Sequence, residues 1–370
     1  MSRVYVLYTG GTIGCEGSPL APVAGPAFGK LVASMPGLQQ GSVAGYEGLR
    51  YHLDWFEQTL DSSNITPSDW ITIAQRIVEH YAEYDGFVVL HGTDTMSFTA
   101  SALSFLLPGL SKPVILTGSQ LPLSFTLSDA LPNLVGAIVL AGASRVPECC
   151  LYFDSLLMRG NRSVKVNANL FAAFASPNYP ALGTVGTEIT LFDRLCLPPP
   201  PSDVSMSEEA NLARVRVQLE RMHSAVLEFS IVSVVLYPGI QGSTVEAILQ
   251  GTRPRVRGMI LQAFGEGNGP SQPTFLDVLR RANDRGVVIM DNTQVLGGTV
   301  NVDAYHTGSS LAQAGACSAF DMTPEAALAK MVALFGCGED FRGVKSRMQQ
   351  SLAGEITPPI TTGITSMTPS

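Results

Sequence analysis

Two short polar segments of this sequence place hydroxyl and carboxyl groups directly after apolar runs. Thr12 follows the run 4–8, inside the glycine-rich segment 9–14, and Thr93 and Asp94 follow the run 86–90. A threonine hydroxyl becomes a nucleophile when a neighbouring base takes its proton, so these positions favour acyl-transfer chemistry. On the residues alone, Thr12 could equally cap a turn and Asp94 could equally cap a helix.

The sequence offers an unusual choice of base. Its histidines stand at 52, 80, 91, 223 and 306, and no Gly-x-Ser-x-Gly motif accompanies them. Lys165, in a polar and cationic segment, is the candidate base, because desolvation disfavours the charged form of a buried lysine. The alternative is a solvated Lys165. The glycine order in 9–14 does not match a dinucleotide or phosphate loop.

The surrounding elements must bring these side chains together. Apolar, β-prone runs alternate with helical patterns, which is typical of a parallel α/β sheet. In such sheets ligands bind beyond the carboxyl ends of the strands, so Thr12 and Thr93 are expected at one edge. The predicted strands of the first half are 4–8, 86–90, 113–116 and 150–153, and the predicted helices are 71–84, 97–107 and 128–141.

A four-proline run at 198–201 predicts a domain linker, because such a run stays extended. The strand–helix alternation resumes after it, at 231–236, 256–261 and 287–290. We therefore predict an α/β fold of two domains, each with a mainly parallel sheet flanked by helices, the N-terminal one larger and the C-terminal one smaller. The predicted parts are an N-terminal domain 1–198, a linker 199–224, a C-terminal domain 225–350 and a flexible tail 351–370.

Composition narrows the class of protein. The 370 residues carry a net charge of −8 without a basic block, which argues against nucleic acid and anionic membranes as partners. No apolar run approaches the roughly 20 residues of a membrane helix. The six cysteines show neither Cys-x-x-Cys pairs nor a histidine spacing suited to zinc. The first strand starts too early for a signal peptide, which predicts a cytoplasmic protein.

Several motifs together resemble the L-asparaginase family, in its cytoplasmic type I branch. Residues 9–14 (Thr-Gly-Gly-Thr-Ile-Gly) and 91–96 (His-Gly-Thr-Asp-Thr-Met) are similar to its two signature motifs. Segments 61–63, 159–165 and 264–270 are similar too, in the same order, so the resemblance covers nearly the whole chain. It implies an L-asparagine amidohydrolase that needs no metal or cofactor and assembles as a homodimer or homotetramer.

The resemblance also implies roles for individual residues. Thr12 would attack the side-chain amide and form a β-aspartyl enzyme. Thr93 would place the water for deacylation, with Lys165 as its proton acceptor and Asp94 orienting the lysine. The implied substrate-binding residues are Gly11, Asp61, Ser62, Ser63, Thr93 and Asp94.

The chain departs from the family at two positions. Many members carry a tyrosine in the mobile loop that follows the nucleophile, and this sequence has Leu20 there. The role of that tyrosine either passes to Tyr305 or is missing. Some bacterial type I enzymes use an arginine for allosteric asparagine binding where this chain has Gln262, so the resemblance does not imply allostery.

Two other functions are compatible with parts of the sequence. A tRNA-dependent amidotransferase subunit would need a nucleic-acid surface and usually an extra N-terminal region, and the acidic chain argues against it. A non-enzymatic binding module is favoured only by the missing loop tyrosine. The sequence does not decide glutaminase side activity, because one methylene is typically worth only about 1–3 kcal/mol of discrimination.

Overall fold

The computed structural model describes residues 1–301 and 306–357, with the backbone alone for 306–309. Within these residues the helices are α1 Gly25–Ser34, α2 Pro67–His80, α3 Met96–Leu106, α4 Ala130–Ala143, α5 Glu209–Ala225, α6 Gly242–Gly251, α7 Pro273–Asp284, α8 His306–Gln313, α9 Pro324–Gly336 and α10 Phe341–Arg347. The strands are β1 Ser2–Gly10, β2 Cys15–Glu16, β3 Ala21–Pro22, β4 Leu49–Leu60, β5 Gly86–Leu90, β6 Val114–Thr117, β7 Cys149–Phe153, β8 Leu156–Arg159, β9 Val164–Lys165, β10 Phe174–Ala175, β11 Gly183–Val185, β12 Ile189–Leu191, β13 Ser230–Val235, β14 Val256–Ala263, β15 Val288–Thr293 and β16 Cys317–Ser318.

The larger sheet lies in the N-terminal domain and has the strand order β12-β11-β8-β7-β6-β5-β1-β4. Strands β7, β6, β5, β1 and β4 are neighbours in that order and run parallel. Strands β8, β11 and β12 extend the sheet beyond β7 through antiparallel pairs. The smaller sheet, β13-β14-β15-β16, is parallel throughout. The predicted fold class is therefore confirmed.

Strand β1 shows why the N-terminal sheet forms. Tyr5 and Leu7 pack on one face with residues of α2 and α3. Val4, Val6 and Tyr8 pack on the other face with residues of α1 and α4. Because both faces are covered, the strand reads as a continuous apolar run, as expected for a buried parallel strand.

The C-terminal sheet is covered on both faces in the same way. Helices α6, α7 and α8 contribute to an apolar cluster on one face. Helix α9 lies on the other, where its buried residues join Ile260 and Met290 of the sheet and Leu103 of α3 in one cluster. One apolar core therefore continues from the C-terminal sheet into the N-terminal domain.

The second half of the predicted linker is helical. Helix α5 occupies 209–225, and Leu212, Val215, Leu219 and Met222 are buried on one side of it. Its charged residues cover the opposite side, so the segment is a packed amphipathic helix. Residues 198–208 contain neither helix nor strand.

The predicted tail is corrected at its start. Glu355 and Ile356 are buried, so residues 351–357 belong to the packed structure. The rest of the tail, 358–370, lies outside the described residues. Across the described chain, no helix has both the length and the apolar character that crossing a membrane requires.

Candidate active site

Polar residues follow four neighbouring parallel strands at the same edge of the N-terminal sheet. Ser62 follows β4, Thr12 follows β1, Thr93 follows β5 and Gln120 follows β6. Since the carboxyl ends of parallel strands share an edge, the sheet places all four side by side.

The loops after β1, β4 and β5 touch through two glycines. Gly11 has φ +89°, and a β-carbon there would lie 2.5 Å from the backbone nitrogen of Gly92. A β-carbon on Gly92 would lie 2.5 Å from the Oγ of Ser62. The two backbones approach this closely only because neither residue has a side chain. Half-buried Thr12 therefore lies one residue from a direct contact with the loop that carries Thr93.

Lys165 joins the two polar residues of the second loop. Its Nζ donates to Oγ1 of Thr93 and to Oδ1 of Asp94, at 2.8 Å each. Thr93 is buried, whereas 62% of the Asp94 side chain is exposed, so this carboxylate can also reach a bound molecule. The structure thus brings the predicted group Thr93, Asp94 and Lys165 together.

The turn before Lys165 is held by buried ion pairs. Arg159 pairs with Glu148 at 2.5 Å, and Arg162 pairs with Asp321 of the C-terminal domain at 2.7 Å. Burial raises the pKa of Asp321, but hydrogen bonds from Arg162 and Thr357 outweigh it and hold that pKa below its ordinary value. The carboxylate stays ionised, and the pair remains intact at neutral pH.

The predicted binding residues after β4 lie beside Gly92. The Oδ1 of Asp61 accepts a hydrogen bond from the backbone N–H of Ser63 at 3.0 Å, which stabilises the turn. The Oγ1 of Thr95 donates to the carbonyl oxygen of Ser62 at 2.7 Å. Ser62 is buried, while Asp61 and Ser63 are exposed. Asp61 and Ser63 are thereby open to a small polar molecule.

Sequence reasoning assigned no role to Gln120. Its Oε1 accepts from Oγ1 of Thr93 at 3.3 Å, and its Nε2 donates to the carbonyls of Ala168 and Leu170 at 3.0 Å each. The carboxylate of Asp129 fixes the Gln120 loop by accepting from its backbone N–H at 2.9 Å. A polar segment follows the third predicted strand, just as one follows each of the first two. This repeat could have identified Gln120 from the sequence.

His91 supports the loop after β5 through hydrogen bonds of both ring nitrogens. Its Nδ1 donates to the carbonyl of Gly92 at 2.7 Å, and its Nε2 accepts from Oγ1 of Thr99 at 2.8 Å. Burial lowers the pKa of His91 to about 4, so the imidazole is neutral at pH 7. Both ring nitrogens are occupied, which makes His91 a support for Gly92 and leaves Lys165 as the nearby basic group.

The remaining predicted positions have different outcomes. Tyr305 lies outside the described residues, so its role stays a prediction. Leu20 is 47% exposed, in the connection between β2 and β3. Gln262 donates to the Oγ of Ser233 at 2.9 Å, on the C-terminal sheet. Among the described residues, no group of three or more His, Cys, Asp or Glu side chains is placed to hold a metal ion.

Comparisons with known proteins match both halves of the chain. The family model described as "Asparaginase, N-terminal" matches residues 3–196, and "Glutaminase/Asparaginase C-terminal domain" matches residues 230–348. The L-asparaginase 1 of Escherichia coli is 41% identical, over 96% of this chain and 98% of that protein. The crystal structure of L-asparaginase I from Vibrio cholerae superposes with a TM-score of 0.80 at 40% identity, covering 96% of this chain and 99% of that one.

A longer relative is similar as well. The "60 kDa lysophospholipase" of Mus musculus is 40% identical over 97% of this chain. The match spans only 63% of the mouse protein.

Proposed function

The chain belongs to the asparaginase family, and we propose from this premise that it hydrolyses L-asparagine to L-aspartate and ammonia. One observation carries the proposal. Lys165 of β9 is hydrogen-bonded to Thr93 and Asp94, on the loop whose Gly92 is in contact with Gly11, the residue before Thr12. The hydroxyl of Thr12 can act as the nucleophile, and the hydroxyl of Thr93 lies beside a base, Lys165. Backbone N–H groups of the two loops lie close by, and the whole arrangement suits the hydrolysis of an amide.

In the first half of the proposed reaction, Oγ1 of Thr12 attacks the side-chain amide carbon of asparagine. The carbonyl oxygen takes up negative charge, and backbone N–H groups of the two glycine-containing loops stabilise it, by roughly 3 kcal/mol for each donor. The C–N bond then breaks. The nitrogen takes up the proton that the Thr12 hydroxyl gives up and leaves as ammonia, and Thr12 is left as a β-aspartyl ester.

In the second half, Thr93 places a water molecule against the ester carbon. The water adds and passes a proton to Thr93, the bond to Oγ1 of Thr12 breaks, and that oxygen takes up the returned proton as aspartate is released. Lys165 accepts the proton of Thr93 in this scheme. Its Nζ lies 2.8 Å from that hydroxyl, so the transfer needs only a neutral amine and a reversal of the present hydrogen bond.

Charge complementarity supports an α-amino acid as the substrate. The exposed carboxylates of Asp61, which precedes Ser62, and of Asp94, on the loop that contacts Ser62 through Gly92, can bind an α-ammonium group. The hydroxyl groups and the N-terminal N–H groups of the turn after β4 can bind an α-carboxylate.

The proposal extends to the wider properties that the resemblance implies. We propose a cytoplasmic homodimer or homotetramer that uses no metal or cofactor. The division into domains 1–198 and 225–350 is likewise a proposal, supported by family models that match 3–196 and 230–348. Light scattering on the purified chain measures the oligomeric state.

A coupled ammonia assay on L-asparagine and L-glutamine tests the activity. Thr12→Ala is expected to fold normally and release essentially no ammonia, because the variant lacks the oxygen that attacks the amide. The matched control is Thr187→Ala, an exposed threonine in the connection between β11 and β12, which should keep wild-type turnover. Turnover retained by Thr12→Ala would remove that residue as the nucleophile. No ammonia from either amide with the wild-type chain would exclude the activity itself.

A further inference from the structure

Residues 351–357, which we call the C-terminal segment, lie across the turn that precedes Lys165. Nη1 of Arg159 donates to the carbonyl of residue 354 at 3.3 Å, and Nδ2 of Asn161 donates to that of residue 353 at 2.8 Å. Nη1 of Arg162 donates to the carbonyl of residue 355. Three consecutive carbonyls of the C-terminal segment are therefore bound by three side chains of one turn. Asn161 and Arg162 are fully buried there, so these bonds are shielded from water.

A buried ion pair fixes the C-terminal segment to the C-terminal domain. Nζ of Lys330, on α9, lies 2.6 Å from a carboxylate oxygen of Glu355, and both side chains are 0% exposed. The same carboxylate accepts from the backbone N–H groups of Leu352 at 2.9 Å and Ala353 at 2.7 Å. Glu355 thus shapes the C-terminal segment and attaches it to α9 at the same time.

Thr357, at the end of the C-terminal segment, contacts both Arg162 of the turn and Asp321. Its Oγ1 accepts from Nη2 of Arg162 at 2.5 Å, and its backbone N–H donates to Oδ1 of Asp321 at 3.0 Å. Arg162 is consequently held by the C-terminal segment and by Asp321 of the C-terminal domain together.

The turn is connected to Lys165 by a very short stretch of chain. Arg162 ends the turn, and Lys165 lies three residues later in strand β9, where it pairs with Phe174 of β10. A displacement of the turn is therefore carried to the lysine, whose Nζ must stay 2.8 Å from both Thr93 and Asp94. Catalytic groups tolerate little misplacement, because a shift of about 1 Å can cost roughly 100-fold in rate.

We propose that the C-terminal segment is a positioning element for Lys165, docked through Glu355 on Lys330 and holding the turn through residues 353–357. The proposal rests on the proposed function, in which Lys165 exchanges a proton with Thr93. Glu355, Lys330 and Thr357 contact neither substrate nor reacting atoms. They act through the turn.

Two variants of the full-length chain test the proposal. Lys330→Met with Glu355→Gln removes the buried ion pair and leaves groups of similar size, so neither charge is left unpaired. Thr357→Val removes one hydroxyl and is the milder change. We expect kcat to fall about ten-fold or more in the double variant, and less in Thr357→Val, because Lys165 loses alignment while the substrate-binding residues keep theirs. KM should stay within about two-fold, since ground-state binding is unchanged.

A stability control separates positioning from general weakening. Val278→Ala removes buried volume from α7, in the cluster of the C-terminal sheet that does not contact the turn. It should lower the melting temperature with little change in kcat. A kcat that is unchanged in both test variants, or that falls equally in Val278→Ala, would overturn the proposal.

A second readout does not require asparagine hydrolysis. Acetylation of lysines by acetic anhydride, followed by peptide mass spectrometry, reports how firmly Lys165 is held. We expect several-fold faster labelling of Lys165 in the double variant than in the wild type. Lys112, bound to the carbonyls of Tyr81 and Tyr84, should be labelled at an unchanged rate. Unchanged labelling of Lys165 would contradict its positioning by the C-terminal segment, even in a chain that releases no ammonia.

Discussion

Lys165 and Thr93 are 72 residues apart in the chain, yet Nζ of the lysine lies 2.8 Å from Oγ1 of the threonine. The donor is the lysine, so the Thr93 hydroxyl keeps its own hydrogen for Gln120. In the proposed reaction, proton transfer from Thr93 to Lys165 would reverse this arrangement. A substrate that binds Asp94 with its ammonium group weakens the competing attraction of that carboxylate for the lysine, which favours the reversal.

Lys165→Met is expected to abolish most of the turnover while leaving aspartate binding intact. The thioether cannot accept a proton, and loss of a general base typically costs about 100- to 10,000-fold in rate. Asp94 and the turn after β4 stay in place, so product affinity measured by calorimetry should change little. Ammonia release gives the rate.

The matched control for this change is Lys30→Met, on the exposed side of α1. It removes the same charge from the chain and should retain wild-type turnover. A Lys165→Met variant that keeps more than about a tenth of wild-type turnover would remove Lys165 as the base for Thr93.

Gly11→Ala should destabilise the chain and remove its activity. The residue has φ +89°, and the new β-carbon would lie 2.5 Å from the nitrogen and 2.6 Å from the Cα of Gly92. Backbone strain of this kind costs about 1–3 kcal/mol, and relief requires the two loops to separate. Urea unfolding measures the loss of stability, and the ammonia assay measures the loss of turnover.

The same substitution at Gly251 is the control. It lies at the end of α6, has no positive φ, and a β-carbon there would meet no atom within 4 Å. Gly251→Ala should leave both stability and turnover close to those of the wild type. Equal behaviour of the two alanine variants would show that the close contact of Gly11 with Gly92 is dispensable.

The sequence predicted those parts of the site whose signal is local. Strands β1 and β5 are buried on both faces and are therefore continuous apolar runs, and the polar loops start where the runs stop. The glycines could be read as positions of close backbone approach. From these features the meeting of the two loops was predictable. The lack of a suitable histidine indicated Lys165 as the base, and the family resemblance specified its role.

Other parts depend on contacts between distant residues. Strand β4 lies at the edge of the sheet and carries half-buried charged and aromatic residues, so neither alternation nor a continuous apolar run marked it. Nothing in the sequence around Lys330 and Glu355 indicates their burial, and only the fold shows that each is buried against the other. Gln120 was visible as a polar residue after a strand, but its bond to Thr93 depends on the order of strands in the sheet.

Asp291→Asn is expected to gain stability relative to the wild type as the pH rises. Asp291 lies in β15 with 0% exposure, and neither carboxyl oxygen has a hydrogen-bond partner among the residues that the structure describes. Burial raises the pKa of Asp291 to about 8, far above its ordinary value near 4. The native carboxyl therefore keeps its proton in a range where the unfolded chain has released it. Its contribution to stability is complete below about pH 4 and is lost progressively as the pH rises to about 8.

Urea unfolding at pH 5 and pH 8 compares the wild type with Asp291→Asn. The asparagine side chain does not titrate in this range. The free energy of unfolding of the variant should therefore rise relative to that of the wild type as the pH rises. The gain is about 1.4 kcal/mol for each pH unit over which the native and unfolded wild type differ by one bound proton. Asp284→Asn, at the exposed end of α7, is the control and should show no such gain. A difference between wild type and Asp291→Asn that is the same at both pH values would mean that the native chain ionises Asp291 as readily as the unfolded one does.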